Sequence, residues 1–463
     1  MWKYKGRTVL LTAVATTLAV YAPASGQEAP GGLTLTFGIS SSLRANDNLD
    51  LDNPSPGTST LWDNTLSFGL LKEDQIQSIR LDLEGVVRIS NIPGGSTDVS
   101  FLDDSSAGFA YARNLGNSRL EFGADYSNSD LVFIDPLSVI EDLDETDLID
   151  DNGRRELISA SLAFETGIND PIGFLLELDR GARRYSGTTD PGLFDTDTST
   201  ITATGRFRFS EVLEGRLIAY HNVYDAMDVP RTERTTDTIS IGATYDVSPT
   251  LTIDASIGHS EVQENLTAIP STSTEKGVVG TFVLTKALAN GTAGLSFDKV
   301  ISITGGRSNF EVSRLLELPQ GTLEASIGAS RGDAGNTQAI GSISYNHELP
   351  LGNFLATASR RYATSTLGND TRITSATFGY NTQLSPLSGL AFNVQFSEVV
   401  DVGAGAVGHS SIGSFRTTYN YELTNDWNLS AGYERRFRRS DTVPRTYSNE
   451  IFLTLERQFT IHR

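Results

Sequence analysis

Residues 251–258 run Leu251-Thr252-Ile253-Asp254-Ala255-Ser256-Ile257-Gly258. Successive side chains of a strand point to opposite faces, so Leu251 to Ile257 form an oily side and Thr252 to Gly258 a hydrophilic one. The same period of two returns along the chain. It appears in Leu33-Leu35-Phe37-Ile39, Ile79-Leu81-Leu83, Leu120-Phe122-Ala124-Tyr126, Ile158-Ala160-Leu162-Phe164, Ile201-Ala203-Gly205-Phe207-Phe209 and Ile239-Ile241-Ala243-Tyr245. Further on it recurs in Leu323-Ala325-Ile327-Ala329, Leu390-Phe392-Val394-Phe396, Phe415-Thr417-Tyr419-Tyr421 and Ile451-Leu453-Leu455. No segment of 3.6-residue period competes with these.

Alternation alone fits a soluble sandwich as well as a membrane barrel. Three further features favour the barrel. The first is an export signal. Lys3, Lys5 and Arg7 precede the apolar run Thr8 to Ala22, and Ala24-Ser25-Gly26 supplies small residues before Gln27, so residues 1–26 are expected to be a cleaved signal peptide. The second is the absence of any domain break, which makes 27–463 one expected domain. The third is the alternation of connection lengths. Short ones near Lys72–Gln75, Asn114–Asn117, Gly167–Pro171, Asp246–Thr250, Leu288–Thr292, Leu318–Gly321, Leu384–Gly389 and Leu423–Trp427 are rich in turn residues. Between them lie longer polar ones at 45–62, 91–104, 134–153, 186–198, 225–236, 262–276 and 399–409. Outer-membrane barrels have short periplasmic turns and longer outer loops.

The expected fold is therefore all-β: a transmembrane antiparallel up-and-down β-barrel of about 22 strands, within a range of 16–22. Removing 26 residues from 463 leaves 437, roughly 20 for each strand plus connection, and ~9–11 residues suffice to cross the bilayer. Trp62, Tyr111, Tyr126, Tyr220, Tyr245, Tyr345, Tyr380, Tyr421, Trp427 and Tyr433 fall near strand ends, where aromatic girdles meet lipid headgroups.

Composition narrows the function classes. Asp plus Glu number 57 against 36 Lys plus Arg, a net charge of −21 that becomes −24 when Lys3, Lys5 and Arg7 are removed. A phosphate backbone is met by a basic face, so nucleic acid is excluded as a partner. With no Cys, there are no disulfides, thiol nucleophiles or Cys-ligated metals. Apolar residues at 38% are too few for a large two-sided core, while aromatics at 9%, recurring throughout, argue against disorder.

The last strand, Tyr447 to Phe459, resembles the C-terminal assembly signal of bacterial outer-membrane proteins, with alternating apolar residues ending in an aromatic, but Thr460-Ile461-His462-Arg463 follow it. The resemblance implies recognition by the barrel-insertion machinery. Over its whole mature length the chain is similar in pattern to the β-barrel porin-2 group of outer-membrane proteins, whose members often accompany exopolysaccharide systems. That resemblance implies periplasmic polysaccharide-export partners and carries over no residue by position.

If the aliphatic face meets lipid and lipopolysaccharide, the other face lines the lumen. It carries Arg80, Asp82, Glu84, Arg119, Glu121, Asp125, Glu177, Asp179, Arg183, Arg206, Arg208, Asp254, Glu324, Arg416, Glu434, Arg436 and Arg438. On the lipid side each charge would cost roughly 2–4 kcal/mol at the midplane. Singly these residues stiffen the wall through ion pairs; together they bias which ion enters. A 22-strand circle is wide and such barrels are typically plugged. The first strand starts about ten residues after the expected cleavage site, so constriction is expected from inward loops rather than from an N-terminal plug.

The candidate loop is 134–153, with Asp135, Glu141, Asp142, Asp144, Glu145, Asp147, Asp150 and Asp151 and no base before Arg154. It either narrows the pore and favours cations, binds divalent cations among lipopolysaccharide heads, or is a solvated loop. Asn48, Asp50 and Asp52 form a second oxygen-rich run, too irregular for an EF-hand, and no metal or cofactor is assigned. The five His, with neighbours such as His221-Asn222, His259-Ser260 and His409-Ser410, accompany no GxSxG or HExxH motif, so no enzyme is expected. The expected function is a porin-like channel for passive or loop-gated passage of small hydrophilic solutes or ions. A polymer-export barrel and a non-transporting surface barrel are the alternatives.

Overall fold

The computed structural model describes residues 32–93, 98–134, 153–333, 337–364, 370–402, 408–441 and 444–462. Twenty-two strands follow one another along the chain. They begin with β1 (Gly32–Asn46), β2 (Ser59–Glu73), β3 (Gln77–Asn91), β4 (Asp98–Leu115), β5 (Ser118–Asp130), β6 (Arg154–Thr166), β7 (Ile172–Ser186) and β8 (Thr196–Ser210). Next come β9 (Leu213–Ala226), β10 (Thr232–Ser248), β11 (Leu251–Leu266), β12 (Ser271–Leu288), β13 (Gly291–Ser302), β14 (Gly305–Leu318) and β15 (Gly321–Gly332). The set ends with β16 (Thr337–Leu349), β17 (Gly352–Thr364), β18 (Asp370–Ser385), β19 (Ser388–Asp401), β20 (His409–Thr424), β21 (Trp427–Ser440) and β22 (Thr446–His462). Each pairs antiparallel with the next, and β1 closes on β22 from Thr34↔His462 to Asn46↔Glu450. A closed sheet has no free edge, so every strand finds its backbone partners without water, as a lipid environment demands.

Both ends of the barrel follow the expected asymmetry. At the end holding the termini most connections are two residues long, as at 211–212, 249–250, 289–290, 319–320, 350–351, 386–387 and 425–426. In the three-residue turn between β2 and β3, the Asp74 carboxylate accepts the N–H groups of Ile76 and Gln77, each at 2.9 Å. Those bonds, with one from the Gln77 side chain, hold its carboxyl below the usual carboxylate range. The opposite end carries the connections 47–58 and 187–195 and the 23 residues between β5 and β6.

Cα partners share a face, so the alternation can be carried from strand to strand around the wall. Leu33, Phe37, Ile39, Leu43, Leu66, Ile158, Ile201, Ile241, Ile257, Ile327, Phe415 and Ile451 all point outward. Ile327 is 73% exposed and Ile239 66% exposed in the bare protein, an arrangement that only a lipid surround makes favourable. The molecule is thus an outer-membrane barrel with an apolar exterior and a polar interior. Of the aromatics expected in girdles, Tyr220 departs: it pairs with Thr202 and Thr238 and faces the lumen. In β9 both faces carry apolar groups, Leu217 and Ala219 outward against Ile218 and Tyr220 inward, so alternation there is weak.

Strands also run farther outward than periodicity indicates. Residues 45–62 were expected as a connection, yet β1 continues to Asn46 and β2 begins at Ser59. Above the bilayer a strand loses its oily face but keeps its ladder, so polar composition does not end it.

Candidate functional site: the lumen and its infolded loop

All seventeen charged residues expected in the lumen fall on the inward face. Across β2 to β8 one row of partners reads Gly69, Asp82, Gly108, Asp125, Ser159, Gly181, Thr198, and the next reads Ser67, Glu84, Ser106, Ser127, Leu157, Arg183, Thr196. The alternation of carboxylates with glycine and serine leaves a recess of about 1230 Å³ in the lumen wall, bordered by Arg80, Asp82, Glu84, Asp125 and Arg183. Glycine matters at 108, since a Cβ there would stand 3.2 Å from Asp125 Oδ1.

Most of the charges are engaged with one another. Arg80 Nε donates to Asp82 Oδ2 at 2.5 Å, and Arg119 Nε to Glu121 Oε1 at 2.8 Å. Arg206 lies 2.6 Å from Glu165, Arg208 3.1 Å from Glu214 and Arg216 2.9 Å from Asp254. In β20 and β21 Glu434 bridges Arg416 at 3.5 Å and Arg436 at 3.7 Å. Glu84 and Asp125 differ: among the described residues neither carboxylate has a hydrogen-bond or ion-pair partner, and both border the recess. Among the described residues the recess therefore presents uncommitted negative charge beside one unpaired guanidinium, that of Arg183.

The outer mouth is narrowed by a loop that the sequence reading did not choose. Residues 47–58, between β1 and β2, turn into the barrel. Leu51 is 2% exposed and packs on Ile373, Val399 and Ile412, the inward residues of β18, β19 and β20, with Ala363 of β17 beside them. Among the described residues these side chains form a buried aliphatic cluster on the inner wall. Amides fix the loop's path. Asn46 Oδ1 accepts from Asn48 N at 2.9 Å and Ser448 Oγ at 2.8 Å, while Asn46 Nδ2 donates to Glu450 at 3.2 Å. Asn48 Nδ2 donates to the carbonyls of Asp52 and Tyr447, both at 3.0 Å, and its Oδ1 accepts from Asp52 N. Leu51 itself has φ 57°, a left-handed conformation rare outside glycine.

Beside this loop a ladder of buried charge crosses the inner wall. Asp63 pairs with Arg44 and, at 2.7 Å, with Arg88 Nε; Arg88 Nη2 reaches Asp104 Oδ2 at 2.7 Å. The Arg88 guanidinium stands 3.7 Å over the Phe133 ring, at the 3-10 turn Leu131–Phe133 whose Val132 N–H donates to the Asp130 side chain. The connection after β5 thus also starts inward, with Leu131 buried.

The expected selectivity residues Asp142, Asp144, Glu145 and Asp147 lie outside the described residues. Of the second oxygen-rich run, Asn48 is the structural pin just described, and no group of His, Asp and Glu suited to a metal occurs among the described residues. Leu49 and Leu51, two buried leucines in an otherwise polar connection, were the available signal for the infolded loop. His221, His259, His347 and His409 face outward, with His221 bound to Asp237 at 2.7 Å and His409 to Glu398 at 3.1 Å.

No family model matches the chain, and no curated protein matches it. Solved structures do. The FrpB iron transporter from Neisseria meningitidis superimposes with a TM-score of 0.58 at 9% identity, covering 94% of this chain and 83% of that one. The siderophore receptor PiuA from Acinetobacter baumannii gives 0.58 at 11% identity, covering 92% and 82%. For the ferric-catecholate import receptor Fiu from E. coli K12 the values are 0.55 and 11%, covering 93% and 82%. At such identities the likeness establishes a shared barrel fold. It does not extend to individual residues.

Proposed function

We propose that the chain is an outer-membrane transport barrel in which polar solutes pass through the charged lumen and the infolded 47–58 loop gates the outer mouth. The observation that carries this reading is the seat of Leu51 on Ile373, Val399 and Ile412, which fastens a segment of outer loop across the lumen-side wall. The barrels it superimposes on are named as iron, ferric-catecholate and siderophore transporters or receptors, so metal chelates are the first solute class to test here.

Planar-bilayer recording of the purified barrel tests the gate. Leu51→Asp places a charge against the aliphatic seat and releases the loop. The expected outcome is low or flickering conductance for the native protein and a several-fold larger, steadier conductance for the variant. Equal conductance in both would remove the loop from the pathway.

A further inference from the structure

The exterior of β21 and β22 changes character abruptly toward the outer end. Tyr433 and Ile451 are partners on the outward face and form the last pair of β21 and β22 below the arginines. One outward position higher, Arg435 sits opposite Asn449; above it come Phe437 opposite Tyr447, and then Arg439 and Arg445. All three arginines are exposed, and none forms an ion pair with a carboxylate among the described residues. In a chain of net charge −21, three uncommitted guanidinium groups side by side on the wall stand out.

The cluster is held in shape by aromatic rings. Arg435 lies 4.8 Å from the Tyr447 ring centroid, while Arg445 lies 4.6 Å from that of Phe437 and 5.5 Å from that of Tyr447. Phe437 is seated over Gly413 so closely that a Cβ there would fall 2.5 Å from its Cε1. A guanidinium stacked on a ring keeps its N–H fork free for an oxyanion, and less rotamer freedom is lost when one binds. The nearby carboxylates are engaged elsewhere. Asp47 accepts from the backbone and side chain of Asn449, both at 2.7 Å; Asp441 is 3.8 Å from His409; and Glu398 lies between His409 and Arg372.

We propose that Arg435, Arg439 and Arg445 form a docking site for the phosphoryl groups of an outer-leaflet glycolipid of the lipid A type. The location argues for a lipid rather than a soluble phosphate. The arginines begin where Tyr433, Ile451, Leu453 and Phe415 end, so one ligand with acyl chains below and phosphates above satisfies both zones.

Native mass spectrometry of the detergent-purified barrel, titrated with bis-phosphorylated lipid A and separately with the same lipid stripped of both phosphates, tests the site. The native protein is expected to bind the phosphorylated lipid at least tenfold more tightly. The Arg435→Gln, Arg439→Gln, Arg445→Gln triple variant is expected to lose that preference, whereas Arg180→Gln, on the outward face of β7, keeps it. Folding of each variant is checked by its heat-modifiable gel mobility. Equal binding of the two lipids by the native barrel would overturn the proposal without recourse to any variant. So would a triple variant that retains the preference, or an Arg180→Gln barrel that loses it equally.

Discussion

Arg88 meets three demands with one side chain: it neutralises Asp63, reaches Asp104, and covers the face of Phe133. At 5% exposure it cannot rely on water to satisfy its charge, so its partners must. Arg88→Gln leaves Asp104 without a cation and Asp63 with Arg44 alone. Breaking a buried pair from one side costs about 3 kcal/mol or more. The expected result is a lowered urea midpoint for unfolding in lipid vesicles, with the Arg80→Gln control, at an exposed pair, nearly unchanged. Leu51 illustrates a different balance. Its left-handed backbone costs roughly 1–2 kcal/mol, and burial of a leucine side chain offsets that by about 1.5–3 kcal/mol. Neither residue stood out in the sequence. Arg88 was not among the expected lumen charges and Leu51 had no expected role, because what each does depends on partners that other strands bring to it.

At the scale of the strand, much more was legible. Where one face meets lipid the alternation is enforced residue by residue, as in 251–257, and inward charges such as Arg206 and Glu434 could be placed from parity alone. Legibility fell where that enforcement lapses. In β9 the lumen accepts Ile218 and Tyr220, and above the membrane β1 and β2 continue without an oily face. The infolded loop was missed because burial of a loop depends on which wall it meets. The final strand supplies a test. Phe459 pairs with Phe37, and the residues after it extend the ladder through Thr460↔Thr36, Ile461↔Leu35 and His462↔Thr34. Those added residues are part of the seam rather than a tail. Truncation after Phe459 is expected to leave a closed barrel that unfolds at a lower temperature, seen as an earlier loss of the compact band on a heated gel. An unchanged transition would make the extension dispensable.

For the molecule as a whole, the proposed transport makes the lumen the element that selects. The paired charges contribute little net field, whereas Glu84 and Asp125 leave negative charge facing the recess. Replacing both, as Glu84→Gln with Asp125→Asn, is expected to lower the cation-to-anion permeability ratio, measured from the reversal potential under a salt gradient. In the Leu51→Asp background the shift is expected to be easier to resolve, because current is larger. An unmoved reversal potential would place the recess off the conduction path. A solute for the proposed transport is not legible in the sequence, since a lumen selects by the joint placement of side chains from many strands.

The wall is joined by its own two ends, β1 against β22. A ribosome releases the first of these long before the last, so no growing intermediate can complete the circle. Closure then waits for β22, and a message cut short before that strand yields an open ribbon with two sticky margins.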